Sequence, residues 1–125
     1  MKKLLSILAI FLTINTFAQS SDGVANALKE ANVTKFTSYF SSSVDIKLPQ
    51  QDEMKNQSKA NASGIIQSFF EKNKINSCEL FLPARELSGM TYVAGKLKGA
   101  SQDYNITVVL KNAGSDMAVI TVRIF

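Results

Sequence analysis

"SKANASGIIQSFFEKN", Ser58–Asn73, separates two kinds of sequence. Within it, Ala62, Ile65, Ile66, Phe69 and Phe70 recur at the spacing of one helical face. Ser58 is a good N-cap residue and Asn73 suits a left-handed C-cap. Gly64 falls mid-helix, at a cost of about 1 kcal/mol relative to Ala, so close helix–sheet packing is the expected reason for it. Before this segment the chain reads as helix and a first strand; after it, everything alternates with the period of strands.

Upstream, "SSDGVANALKEAN" (Ser20–Asn32) places Val24, Ala27, Leu28 and Ala31 on one side of a short helix, capped by Ser21 or Asp22 and stopped near Asn32. "VTKFTSYF" starts a second helix, with Thr34 as its cap and Phe36, Tyr39 and Phe40 at i, i+3 and i+4. "SVDIKLPQ" then alternates Val44, Ile46 and Leu48 with Asp45 and Lys47, a half-buried strand ended by Pro49. The polar "QQDEMKNQ" reads as a turn with a brief strand around Met54.

Downstream, Cys78, Leu80 and Leu82 alternate up to Pro83. "MTYVAGKLKG" is a strand with Gly95 inside it, a bulge or tight bend. "DYNITVVLK" alternates Tyr104, Ile106, Val108 and Leu110, and "MAVITVRIF" alternates Ala118, Ile120, Val122 and Ile124. The turns "GASQ" and "NAGSD" are short, so these strands are antiparallel neighbours. The order α-α-β-α-β-β-β-β predicts an α+β domain, a curved sheet with helices on one face and the last three strands at its centre.

The first eighteen residues stand apart. "MKKLLSILAIFLTINTFA" has two lysines, an apolar run Leu4–Leu12, and small or polar residues up to Ala18. That pattern predicts a cleavable signal peptide over 1–18, cut after Ala18, with a single domain over 19–125 and a secreted or periplasmic address. The apolar run is shorter than the ~20 residues of a spanning helix, so no transmembrane anchor is expected after signal removal. Without Lys2 and Lys3 the 14 Lys+Arg become 12 against 10 Asp+Glu, and the net charge falls from +4 to +2. The remaining basic residues are scattered and only Arg85 and Arg123 are arginines, which is not the concentrated basic stripe of a nucleic-acid binder. Four Asn-x-Ser/Thr triplets begin at Asn32, Asn56, Asn61 and Asn105. The bacterial character of the leader makes chance their better explanation.

The chain has no histidine, which removes the commonest general base, the His-dependent nucleophilic sites and nearly all transition-metal sites. No Gly-rich phosphate loop is present, and Asp52-Glu53 lacks the further oxygen ligands of a Ca²⁺ loop. No catalytic, cofactor-binding or metal residue is therefore assigned. Cys78, the one cysteine, has no intramolecular partner and reads as a small core hydrophobe. Pairing between chains stays open.

The helix pair leading into "YFSSSVDIKLP", then "SKANASGIIQSFFEKN", then "YNITVVLK…MAVITVRI" resemble a family of small secreted bacterial proteins, domain of unknown function 4783. That family is similar to the nuclear transport factor two-like (SnoaL-like, cystatin-like cone) superfamily. The resemblance spans about Ala25–Ile124 and implies a bent sheet wrapped around helices, often with a pocket at the wide end and often dimeric through the sheet. It brings no catalytic motif, and the fold alone selects no function. Enzymes of the superfamily pair a carboxylate with a tyrosine; here Asp45 and Asp103 read as outward or solvent-facing, and Tyr39 as a core aromatic with its hydroxyl at the edge.

The expectation is thus an exported small binding or interaction module of the cell envelope without a reaction. The alternative is a minor isomerase- or hydrolase-like enzyme using the cone pocket. Candidate pocket lining is Leu28, Phe36, Tyr39, Ile66, Phe69, Phe70 and Tyr104, facing a small apolar ligand or a protein partner. The competing outcome is that these side chains simply fill the core. Phe81 and Val109 fall on the opposite strand face and mark a second apolar surface, suited to a homodimer or partner.

Overall fold

A computed structural model describes residues 22–81, 85–113 and 116–125. The expected signal peptide, Leu82, Pro83 and the centre of the last turn lie outside the described residues. Residues 22–29 form helix α1. It is followed by α2 (Val33–Ser38), β1 (Phe40–Lys47), β2 (Met54–Ser58), α3 (Lys59–Lys72), β3 (Ser77–Leu80), β4 (Arg85–Leu87), β5 (Met90–Lys98), β6 (Asp103–Ala113) and β7 (Asp116–Ile124). The strands form one seven-stranded sheet in the order β2-β1-β7-β6-β5-β3, with β4 also paired to β5. The α+β class, the curved sheet and the central position of the last strands follow the expectation from the sequence.

The tight break expected between α1 and α2 is present. The Asn32 N–H donates to the Ala27 carbonyl at 2.8 Å and the Ala31 N–H to Leu28 at 2.9 Å, a Schellman closure with Ala31 left-handed at φ 54°. Asn32 then caps α2 by accepting from the Lys35 N–H at 3.2 Å, a role expected of Thr34. The second helix stops at its C-cap Tyr39, and Phe40 opens β1 instead of extending the helical face. Phe36 and Phe40 still meet edge to face, with centroids 5.3 Å apart.

The polar turn after Pro49 does contain a strand, β2, paired antiparallel to β1. β4 was not expected; it forms a hairpin with β5 through Ser88 and Gly89, at φ 53° and 78°. Two successive positive φ values are the signature of a type I′ turn. β1 runs parallel to β7, a pairing no short turn announces.

Two local expectations are corrected. In β7, Val119, Val122 and Ile124 are buried, while Ala118 and Ile120 are only half-buried. Val109 pairs with Thr121 but Leu110 with Val119, so Ile120 is an extra residue that flips the alternation. Gly95 is not a bulge, since the registers of β3–β5 and β5–β6 run through it unbroken. A Cβ there would lie 2.7 Å from the Glu79 carbonyl and 2.9 Å from the Cys78 sulfur, so the glycine lets β3 approach.

The interior lies between the helices and one sheet face. Leu28, Phe36, Ile66, Leu97, Ile106, Leu110 and Ile124 are among its fully buried side chains. Val109 is 8% exposed, yet it stands apart from this cluster, paired with Tyr92 on the outer face. Among the described residues no helix is long and apolar enough to cross a membrane.

Candidate functional site

Helix α3 turns Ala62, Ile66, Phe69 and Phe70 into the core. Its opposite flank is consequently left to Ala60, Asn61, Gly64 and Ser68, all exposed. Ser58 sets the start of the helix by accepting from the Asn61 N–H at 3.2 Å. The helix ends differently from the expectation. Asn73 is the C-cap at φ −96°, and the left-handed residue is Lys74 at φ 51°. The Ile75 N–H closes on the Phe70 carbonyl at 3.0 Å and Lys74 on Glu71 at 3.2 Å, the same closure that ends α1.

Freed from the left-handed position, Asn73 uses its side chain to tie the helix to the β5–β6 turn. Its amide donates to the Phe69 carbonyl at 2.9 Å, and its oxygen accepts from the Tyr104 hydroxyl at 2.9 Å. Tyr104 in turn accepts from the Gln102 amide at 2.8 Å. The Ala100 N–H adds a bond to the Asn73 carbonyl at 3.2 Å. Gly99 is required by the same close approach, because a Cβ there would lie 2.6 Å from the Gln102 carbonyl and 3.0 Å from that of Asn73. Phe69 packs edge to face on Tyr104 at 5.1 Å.

On the other side, the β1–β2 loop crosses in front of the helix. The Gln51 N–H donates to the Leu48 carbonyl at 3.2 Å, and Gln50 adopts φ 61°. Between this loop, the exposed flank of α3 and the β5–β6 turn runs a cleft of about 680 Å³. Its apolar lining is Leu48, Pro49, Met54, Ala60, Ile65 and Phe69, and its polar lining includes Gln50, Gln51, Asn61, Asn73 and Gln102. Lys72 is its charged residue, and among the described residues no carboxylate or thiol lines it.

Of the seven side chains expected to line a pocket, Phe69 and Tyr104 reach this cleft. Leu28, Phe36, Ile66 and Phe70 are core, and Tyr39 packs against the core with its hydroxyl in the space a side chain at Gly23 would need. The opening thus lies beside α3 rather than within the cone. Sequence periodicity finds the buried side of a helix but not what covers the other side, so the loop residues and the outer flank were missed. The available signal was Gly64, whose added Cβ would meet nothing within 4 Å. Close helix–sheet packing therefore does not explain it.

Among the described residues, Asp45 and Asp103 do not line the cleft. Asp45 accepts from the Asn56 N–H at 2.8 Å, and Asp103 pairs with Lys98 at 3.2 Å. Among the described residues no group of three His, Cys, Asp or Glu side chains could hold a metal. Cys78 is a buried free thiol. Burial, helped by the nearby Glu79 charge and opposed by a hydrogen bond from the Lys96 backbone, pushes its pKa up to about 11.

A curved sheet closed by helices on one face is the fold of cystatin-like, nuclear transport factor two-like proteins. The chain belongs to the family described as Domain of unknown function (DUF4783), whose model matches residues 21–124. A DUF4783 protein from Bacteroides ovatus superposes with TM-score 0.74 at 22% identity, over 82% of this chain and 90% of that one. An uncharacterized cystatin-fold protein from Novosphingobium aromaticivorans gives 0.62 at 11% identity, over 87% and 97%. An NTF-2 like protein of unknown function from Burkholderia xenovorans gives 0.62 at 6% identity, over 89% and 82%. At these identities the likeness is one of fold. No curated protein matches the chain.

Proposed function

We propose that the protein is an exported, non-catalytic binding module of the cell envelope that holds a small ligand in the cleft beside α3. The observation that carries this reading is the cleft itself: about 680 Å³, within the usual range for small-molecule sites, lined by both apolar and carboxamide side chains. The isomerase- or hydrolase-like alternative needs an acid or base in reach of the bound molecule. The titratable side chains lining the cleft are Lys72 and Tyr104, and the Tyr104 hydroxyl already donates to Asn73. The export part of the reading rests on the leader sequence.

The test is to purify the protein from its own envelope fraction and identify co-purified small molecules by mass spectrometry. A compound retained by the native chain and lost from a Ser68→Trp variant is the expected result. A compound released chemically altered would instead favour the enzyme.

A second reading has its own observation. Leu87 and Tyr92, at 66% and 37% exposure, share the outer sheet face with the buried Val109, and Phe81, at 51%, bonds through its N–H to Ala94 on the neighbouring β5. Such a patch suits a homodimer through the sheet. Light scattering at working concentration should then give twice the monomer mass, and a monomer mass would remove this reading.

A further inference from the structure

We propose that the cleft takes a neutral, hydroxyl-rich ligand of the oligosaccharide class, laid along α3 across Gly64. This inference rests on the binding-module reading above and names its ligand class.

The lining chemistry comes first. Gln50, Gln51, Asn61 and Gln102 each carry a carboxamide that can donate and accept; Asn61 already donates one N–H to Gln57 and Gln102 one to Tyr104, which leaves each a second N–H and its carbonyl oxygen. A sugar hydroxyl also does both, so a run of hydroxyls can be matched by a run of amides without a charge on either side. Lys72 is a single cation, fewer than a polyphosphate would need to be held by paired charges. With no lining carboxylate among the described residues, a cationic ligand has nothing to pair with. Leu48, Met54, Ile65 and Phe69 supply apolar contact for the C–H faces of sugar rings. They are interrupted by the amides, whereas a fatty chain is best held in an enclosed apolar wall.

The origin of the lining weighs against a peptide. Extended peptides gain affinity by adding a strand to an open sheet edge. Here the walls come mainly from a helix flank and two connecting loops, with Tyr104 from the central strand β6, and among the described residues Met54 is the only contribution from an edge strand. The lining runs from Ala60 to Lys72 along the helix, roughly 18 Å at 1.5 Å per residue, room for a short chain of linked rings.

Gly64 is the independent observation. A glycine inside a helix is costly, and here neither a positive φ nor a crowded Cβ position accounts for it. The space its side chain would occupy is cleft space. Baring the helix at that point lets a ring lie close against the backbone.

The experiment is an amide ¹H–¹⁵N titration of the whole purified chain with neutral α- and β-linked tetrasaccharides, alongside pentaalanine and laurate. At least one tetrasaccharide is expected to shift amides in 48–54, 60–73 and 99–104 and to leave the outer sheet face unmoved. Gly64→Ala should weaken that binding about tenfold, the cost of one misfitted methyl group. Its melting temperature should not fall, which separates a blocked cleft from a damaged fold. Binding unaffected by Gly64→Ala, or shifts elsewhere, would overturn the proposal. If pentaalanine or laurate alone shifts the cleft, the ligand class is wrong while the binding module stands. If no probe shifts it, the oligosaccharide assignment fails, and the envelope purification decides the broader reading separately.

Discussion

On one side of α3, Ala62, Ile66, Phe69 and Phe70 are buried in the sheet-lined interior. On the other, Ala60, Asn61, Gly64 and Ser68 stand exposed along the cleft. The first set is large and close-packed, and it obeys the helical repeat that any amphipathic helix needs. The second set is small or amide-bearing, and nothing about folding requires it to be so. Residues kept for stability and residues free for recognition are therefore separated by half a turn of one helix, with Phe69 belonging to both. Substitutions on the two sides should part in both size and sign.

The interior side gives the largest effect. Ile66 has no exposed surface, and Ile66→Ala removes three buried carbons and leaves a cavity. We expect a loss of about 2–5 kcal/mol in urea unfolding. A loss near that of an exposed site would mean the interior is not close-packed, and would erase the contrast.

Cys78 tests the same interior by pH. Its thiol titrates at about 11 in the folded chain against an ordinary 9.0. Below 9 both states hold the proton and stability is flat. Between 9 and 11 the unfolded chain releases a proton that the folded chain keeps, so stability falls as pH rises, by about 3 kcal/mol in all. Urea midpoints at pH 8 and 11 should show that extra slope in the native chain and not in Cys78→Ala. Equal slopes would place the thiol in solvent.

Asn73 sits where the two sides meet. Asn73→Ala removes the bond to the Phe69 carbonyl and leaves the Tyr104 hydroxyl without its acceptor. At about 1 kcal/mol per net hydrogen bond, the expected loss is about 1–2 kcal/mol. Hydrogen exchange should quicken around Gln102–Tyr104 and leave β7 unchanged. Uniform quickening would show that Asn73 supports the whole fold, not the cleft wall.

The fold was legible wherever one residue type met one periodicity. Ile66, Phe69 and Phe70 announce α3, and Tyr104, Ile106, Val108 and Leu110 announce β6, because burial on one side leaves a repeat in the sequence. The repeat misled where geometry breaks it. Ile120 is an inserted residue in β7 that no local signal marks, and the pairing of β1 with β7 is a long-range contact. The cleft was less legible still. Of its lining, periodicity reached Leu48, Ile65, Phe69 and Tyr104 through their apolar character, while Gln50, Gln51 and Gln102 come from loops that only the folded chain brings to α3.

The smallest effect is the most discriminating, because its sign opposes the rest. Gly64 costs the helix conformational entropy, and an added Cβ meets nothing within 4 Å. Gly64→Ala should therefore stabilise the protein by about 1 kcal/mol in urea unfolding, with no rearrangement of the interior. If the substitution destabilises instead, the β1–β2 loop must close onto the helix in solution, the space beside Gly64 is filled by the protein, and Gly64 is a packing glycine after all. A stabilised variant with the interior unchanged leaves the outer flank of α3 as surface kept small for something other than the fold.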